Sequence, residues 1–329
     1  MKNSLIASFA KIIIAKSLRF LNLVRMFLLI KKSFHFFSYD TRRAFTPYIY
    51  MAPTIVLLAS LMVLPMIVVF RYSLFDNVIM NKNPTFVGLQ NYEKLFSNST
   101  FWISLENTLY FTFMSVIFHL LIGMAFALML NSKAINSTIK TILRVFFIMP
   151  WVFTAVIIAI IWRLMLDPSG VINYLLMDFG IADSNIEWFS SSATAIHAVT
   201  FVNIWAGYPL YMVSLLAGLQ GVSKELYEAA SIDGSNEIQK FWYITIPHLK
   251  PIIISIAMLD FIWTMQVFPL VWMTTGGGPI HATEMMSTFT YKLAFTSYKF
   301  SLASANAVII LILSMSVTYF YIKYQKSRD

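Results

Sequence analysis

The 329-residue chain contains no cysteine, which excludes a disulfide framework, cysteine-ligated zinc or iron–sulfur sites and a thiol nucleophile. Charge is also scarce. Asp, Glu, Lys and Arg make up 12% of the residues, where a soluble domain has about 25%, and 58% are hydrophobic. With a mean hydropathy of +0.71, this is not the composition of a water-soluble globule. Gly and Pro number 11 each, too few for a collagen-like or low-complexity chain, and no repeat of domain-building length is present. Basic residues outnumber acids 24 to 15. In so apolar a chain that excess reads as cationic loops at the cytoplasmic face of a membrane rather than as nucleic-acid binding.

A membrane-crossing helix needs about 20 mostly apolar residues, and six gaps between charged positions are long enough. Arg43 and Arg71 bracket the first, Glu106 and Lys133 the second, and Arg144 and Arg163 the third. The fourth lies between Trp188 and Ser223, the fifth follows Pro251 and carries one acid, Asp260, and the sixth runs between Lys299 and Lys323. With the amino terminus inside, the inner segments hold 18 of the 24 basic residues. Asp167, Asp178, Asp183 and Glu187 then crowd one outer loop, so both termini are expected to be cytoplasmic.

Residues 1–45 form a separate segment. Lys11, Lys16, Arg19 and Arg25 fall within one half of a helix, with Ile12, Ile13, Leu23, Met26 and Phe27 mostly elsewhere. This pattern predicts a basic amphipathic helix lying on the membrane. A seventh span remains the alternative, but it would have to bury several cations.

The segment 221–251, between the fourth and fifth spans, has the strongest local signals. Ser223 is a candidate N-cap with Glu225 in the first turn, and Asp233-Gly234 ends the helix it starts. Asn236 with Gln239 has the spacing of a capping box, and Pro247 is expected to stop the second helix. The outcome is a helix–elbow–helix on the inner surface, which local physics alone leaves open as a well-capped connection.

Glu228-Ala229-Ala230, Asp233-Gly234, Gln239, Phe241, Ile244, Pro247 and Pro251 resemble, residue by residue, the EAA loop of ABC importer membrane subunits. Further matches narrow the likeness to binding-protein-dependent sugar permeases, similar to the membrane subunits of maltose and glycerol-phosphate importers. They are Gly88-Leu-Gln-Asn91-Tyr92, Asn107-Thr108, Arg144 with Pro150, Thr275-Gly-Gly-Gly-Pro279 and Tyr291 with Phe295. Ser235 stands where that family usually has Ala.

The resemblance implies an all-α polytopic membrane protein: a six-span type I ABC importer transmembrane domain over residues 46–323, with the amino-terminal segment before it and a cytoplasmic tail over 324–329. It also implies a permease subunit without catalytic residues, in a bacterial cytoplasmic membrane. A second permease subunit, two ATPase subunits that hold ATP and magnesium, an extracytoplasmic solute-binding protein and a sugar or oligosaccharide complete the assembly. Glu228, Ala229, Ala230, Asp233, Gly234, Gln239, Phe241 and Pro247 would form the surface docked on the ATPase. By analogy with the maltose importer, Asn203, Gly207 and Leu210 on the fourth span would line the pathway with Asp260, Trp263, Thr264 and Val267 on the fifth. A helix irregularity is expected at Gly207 to Pro209.

Two readings stand for Asp260: contact with the sugar, or pairing with a polar group of the partner subunit. For His119, inside the second span, hydrogen-bonded packing is weighed above proton relay. The five histidines are scattered and give no metal-binding spacing, the chain has no phosphate-cradling glycine loop, and Gly276 to Gly278 reads as a tight turn. An autonomous proton-coupled transporter using Asp260 or His119 is the alternative function. It leaves the loop unexplained, and six spans are few for paired repeats.

Overall fold

The computed structural model describes residues 39–326 except 77 and 133, so the amphipathic helix expected within residues 1–45 lies almost wholly outside the described residues. The described chain is helical apart from short connections and one isolated bridge between Phe75 and Phe86. Helices are what an apolar environment demands, because every backbone N–H and C=O must find its partner within the segment.

The chain divides into two units, residues 1–67 and 68–329. The described part of the first unit is a helix that starts at Tyr39 and contains the bulk of the first apolar span, Phe45–Ser73. In the second unit four further helices are long and apolar enough to cross a membrane: Ser99–Asn131, Ala195–Gln220, Glu237–Met265 and Phe300–Lys323. They correspond to the expected second, fourth, fifth and sixth spans.

The third span differs from expectation. It is a pair of helices, Ser137–Val152 and Ala155–Met165, bent by 101° at the break, and counting the pair as one span gives six. Pro150 withholds an N–H from the last turn of the first helix, Phe153 is extended, and Thr154 caps the second helix by accepting from Ile157 N at 3.4 Å. The uncharged run between Arg144 and Arg163 is therefore interrupted by a proline and a cap rather than by polarity.

Two further expectations are corrected. Pro247 does not stop a helix. The chain stays helical from Glu237 to Met265, passing through a π turn at Phe241–Thr245 in which Ile246 N–H bonds Phe241 O. The wider turn makes room for the Pro247 ring, which in an α-helix would press on the carbonyl four residues back. Nor is there a break at Gly207 to Pro209, since Ala195–Gln220 is α-helical throughout with Pro209 buried inside it. Packed neighbours let a helix continue across one missing hydrogen bond.

Span two packs along span four more extensively than any other pair of elements. Two apolar clusters lie along them and extend to their neighbours. One is built on Phe111, Trp162, Val199, Val202 and Val271; the other on Met124, Tyr211, Met212, Leu215 and Leu249. A third cluster, around Leu95, Phe101, Met286 and Phe289, joins the starts of spans two and six. Along spans two and four a polar layer lies between the first two clusters.

Candidate functional site: a polar knot within the spans and an exposed elbow

The polar layer centres on Asp260, which is 7% exposed. Its Oδ2 lies 2.8 Å from His119 Nδ1 and receives the Tyr211 hydroxyl at 2.9 Å, while Oδ1 receives the Thr264 hydroxyl at 3.0 Å. His119 Nε2 donates to the backbone oxygen of Asn203 at 3.0 Å, and the Asn203 amide donates to Ser115 Oγ at 2.9 Å. Because a carbonyl can only accept, Nε2 carries a proton. One further proton bridges Nδ1 and Oδ2, so the pair is neutral as a unit whichever atom holds it. That neutrality is what allows two ionisable groups to sit among apolar helices.

Four of the seven expected pathway residues, Asn203, Gly207, Asp260 and Thr264, thus converge: the first three lie against the His119 ring, and Thr264 bonds the Asp260 carboxyl group that His119 meets. A Cβ on Gly207 would come within 2.3 Å of that ring. Trp263 is 59% exposed, on the other side of the burial boundary from Asp260, while Leu210 and Val267 are half-buried. Asp260 finds its partner inside its own chain. Spacing in the sequence does not give the pairing with His119; its one signal there is that both residues are ionisable and embedded in apolar runs, where each needs a partner.

The segment 221–251 forms the expected elbow. Ser223 Oγ accepts from Glu225 N at 3.3 Å and opens the helix Lys224–Ile232. That helix closes with paired bonds, Ser235 N to Ala230 O at 2.9 Å and Gly234 N to Ser231 O at 3.2 Å, around Gly234 at φ +79°. This is a left-handed cap that glycine adopts without strain. Asn236 and Gln239 make both bonds of the capping box, each at 2.8 Å. Across the elbow, Tyr227 and Thr245 share a hydroxyl–hydroxyl bond of 2.8 Å.

Glu228, Ala229, Asp233, Gly234, Gln239 and Pro247 are exposed, whereas Ala230 and Phe241 are half-buried. Beside them large apolar side chains stand in the open, with Ile232 87% and Tyr243 81% exposed.

The other recognised motifs are joints. The Asn91 amide donates to the backbone oxygens of Ser73 and Phe75, and the Tyr92 hydroxyl meets Ser73 Oγ at 2.7 Å. The Asn107 amide donates to His281 O and Glu284 O, and Thr108 Oγ1 accepts from Met286 N, which fastens span two to the segment after Pro279. In that segment the fully buried Glu284, another residue the sequence did not single out, accepts from Lys292 Nζ and from Thr288 Oγ1.

The family described as "Binding-protein-dependent transport system inner membrane component" matches residues 119–328. The trehalose/maltose transport system permease protein MalF of Thermococcus litoralis is 33% identical over 291 residues, covering 87% of this chain and 96% of that protein. The sulfoquinovosyl glycerol transport system permease protein SmoG of Agrobacterium fabrum is 30% identical, over 85% of this chain and 90% of its own. A solved bacterial ABC transporter involved in import of the acidic polysaccharide alginate shares the fold, with a TM-score of 0.75 at 21% identity over 88% of this chain and 97% of that one. By motif, fold and sequence, the chain belongs to the family of binding-protein-dependent transport system inner membrane components.

Proposed function

We propose that the chain is one permease subunit of an ATP-driven importer for a sugar or oligosaccharide, carrying no catalysis of its own. The observation that carries this is the elbow, a rigidly capped helix pair whose exposed apolar and acidic surface runs without a break into span five. Such a surface needs an inner-face partner, and an ATPase subunit with a complementary cleft supplies one. Closure of an ATPase dimer would then turn the spans as rigid bodies. ATP and magnesium belong to that partner.

The sugar cargo is supported by the relatives, named for trehalose/maltose and sulfoquinovosyl glycerol transport, together with one named for arabinooligosaccharides. A second permease subunit, most simply a different chain, would complete the pathway, with the exposed face of Trp263 offering an aromatic platform to a sugar ring. The solved alginate transporter in complex with an oligosaccharide-bound periplasmic protein is the precedent for a delivering partner outside. The charge distribution favours a bacterial cytoplasmic membrane with both termini inside.

Co-purification tests the proposal. The wild-type complex should retain an ATPase subunit, and its hydrolysis should be stimulated by a cargo-loaded binding protein from a panel of candidate sugars. Gly234→Pro cannot adopt the positive φ of the elbow and should abolish that stimulation. A wild-type chain purified without an ATPase, with transport following a proton gradient, would favour the autonomous transporter instead.

A further inference from the structure

Span five carries the second arm of the elbow at one end and Asp260 near the other, 23 residues apart on a single helix, or about 35 Å. At Asp260 the helix is fastened to span two through His119 and to span four through Tyr211, and His119 itself bonds the backbone of span four at Asn203. Above and below, spans two and four meet through apolar clusters and one further hydrogen bond, Tyr110 to His197 at 2.8 Å, and the clustered contacts of span five with them are apolar. Dispersion and burial are non-directional and let helices slide; hydrogen bonds of fixed geometry do not. Sliding at this level would also strand a carboxyl group and an imidazole without partners in an apolar layer.

We infer that the Asp260–His119–Tyr211 knot is the tie through which a stroke delivered at the elbow reaches spans two and four, so that the three spans move as one body. Both Asp260 oxygens are engaged within the chain, which makes Asp260 a positioning residue rather than a contact for cargo. The identity of the stroke rests on the importer reading; the rigidity of the three spans does not.

Two variants test the tie. Tyr211→Phe keeps the buried ring and removes one donor, and Asp260→Asn keeps the shape and removes the shared proton. The full complex is assayed in proteoliposomes with trehalose, maltose and arabino-oligosaccharides as probes, measuring solute imported per ATP hydrolysed and the half-saturating cargo concentration. Solute per ATP should fall by roughly threefold or more in both variants, with half-saturation unchanged.

In parallel, spin labels at Leu121→Cys on span two and Leu259→Cys on span five report their separation. Both positions are exposed, and the chain has no native cysteine to interfere. The distance distribution should be narrow in the otherwise wild-type chain and broader with Tyr211→Phe. A wild-type ratio of solute to ATP in the variants would overturn the inference, since a merely structural contact would lower the yield of protein and leave the ratio alone. A shift in half-saturation with the ratio intact would overturn it in favour of cargo contact. If even the wild type shows no ATPase, the importer reading has failed, and the label widths in the chain alone still decide the tie: equal widths overturn it.

Discussion

The imidazole of His119 fills the space that a side chain at position 207 would need. Spans two and four are pinned around that ring by hydrogen bonds on both sides, so neither can withdraw without breaking them, and close-packed interiors transmit such crowding. Gly207→Ala is expected to cost about 1–3 kcal/mol, seen as a lower midpoint of thermal unfolding in detergent. An unchanged midpoint would mean that the ring rotates away cheaply. Gly234 is the opposite case. A Cβ there meets nothing within 4 Å, and what excludes other residues is the backbone at φ +79°. The two glycines are required for different physical reasons, one for space and one for conformation.

At the scale of elements, the π turn at Phe241–Thr245 joins the elbow to span five. A π turn holds one residue more than an α turn, and that residue makes room for Pro247 without resetting the rotation of the second arm about the span axis. Deleting Tyr243, whose side chain is exposed, should return the turn to α geometry, which leaves the rotation of the arm nearly unchanged but sets the Pro247 ring against a backbone carbonyl and kinks the arm away from span five. The shortened chain is expected to insert in the membrane at near wild-type levels and to fail to retain its ATPase on purification. Retention at wild-type levels would mean that the arm docks independently of its angle to span five. The broken third span makes the same point with a different device: the run that looks continuous in hydropathy ends where Thr154 offers an N-cap.

For the whole molecule, the arrangement of loops predicts sidedness. The cysteine-free sequence permits single-cysteine scanning without background. Asp183→Cys, exposed in the acidic connection between spans three and four, should react with a membrane-impermeant maleimide in intact cells. Ser231→Cys, exposed on the elbow, should react only after permeabilisation. The reverse pattern would invert the topology and remove the elbow from any ATP-driven partner.

What the sequence determined by itself was set by interactions that are local or imposed by the surroundings. Span length follows from the thickness of the apolar layer, so five helices and the bent pair fall where charge is sparse. The elbow is legible because its caps, Ser223 with Glu225, Gly234 with Ala230 and Ser231, and Asn236 with Gln239, each join residues no more than a few positions apart. Its motif of spaced residues then pointed to the family. The tertiary structure alone decided what happens at the prolines, because the helix continues through the buried Pro209 and Pro247 is accommodated by a π turn, neither of which local propensity encodes. It alone decided where Asp260 points. The carboxyl group and its imidazole partner are 141 residues apart in sequence, and nothing nearby in the chain can tell an acid that will line an open path from one that will close a knot between three helices.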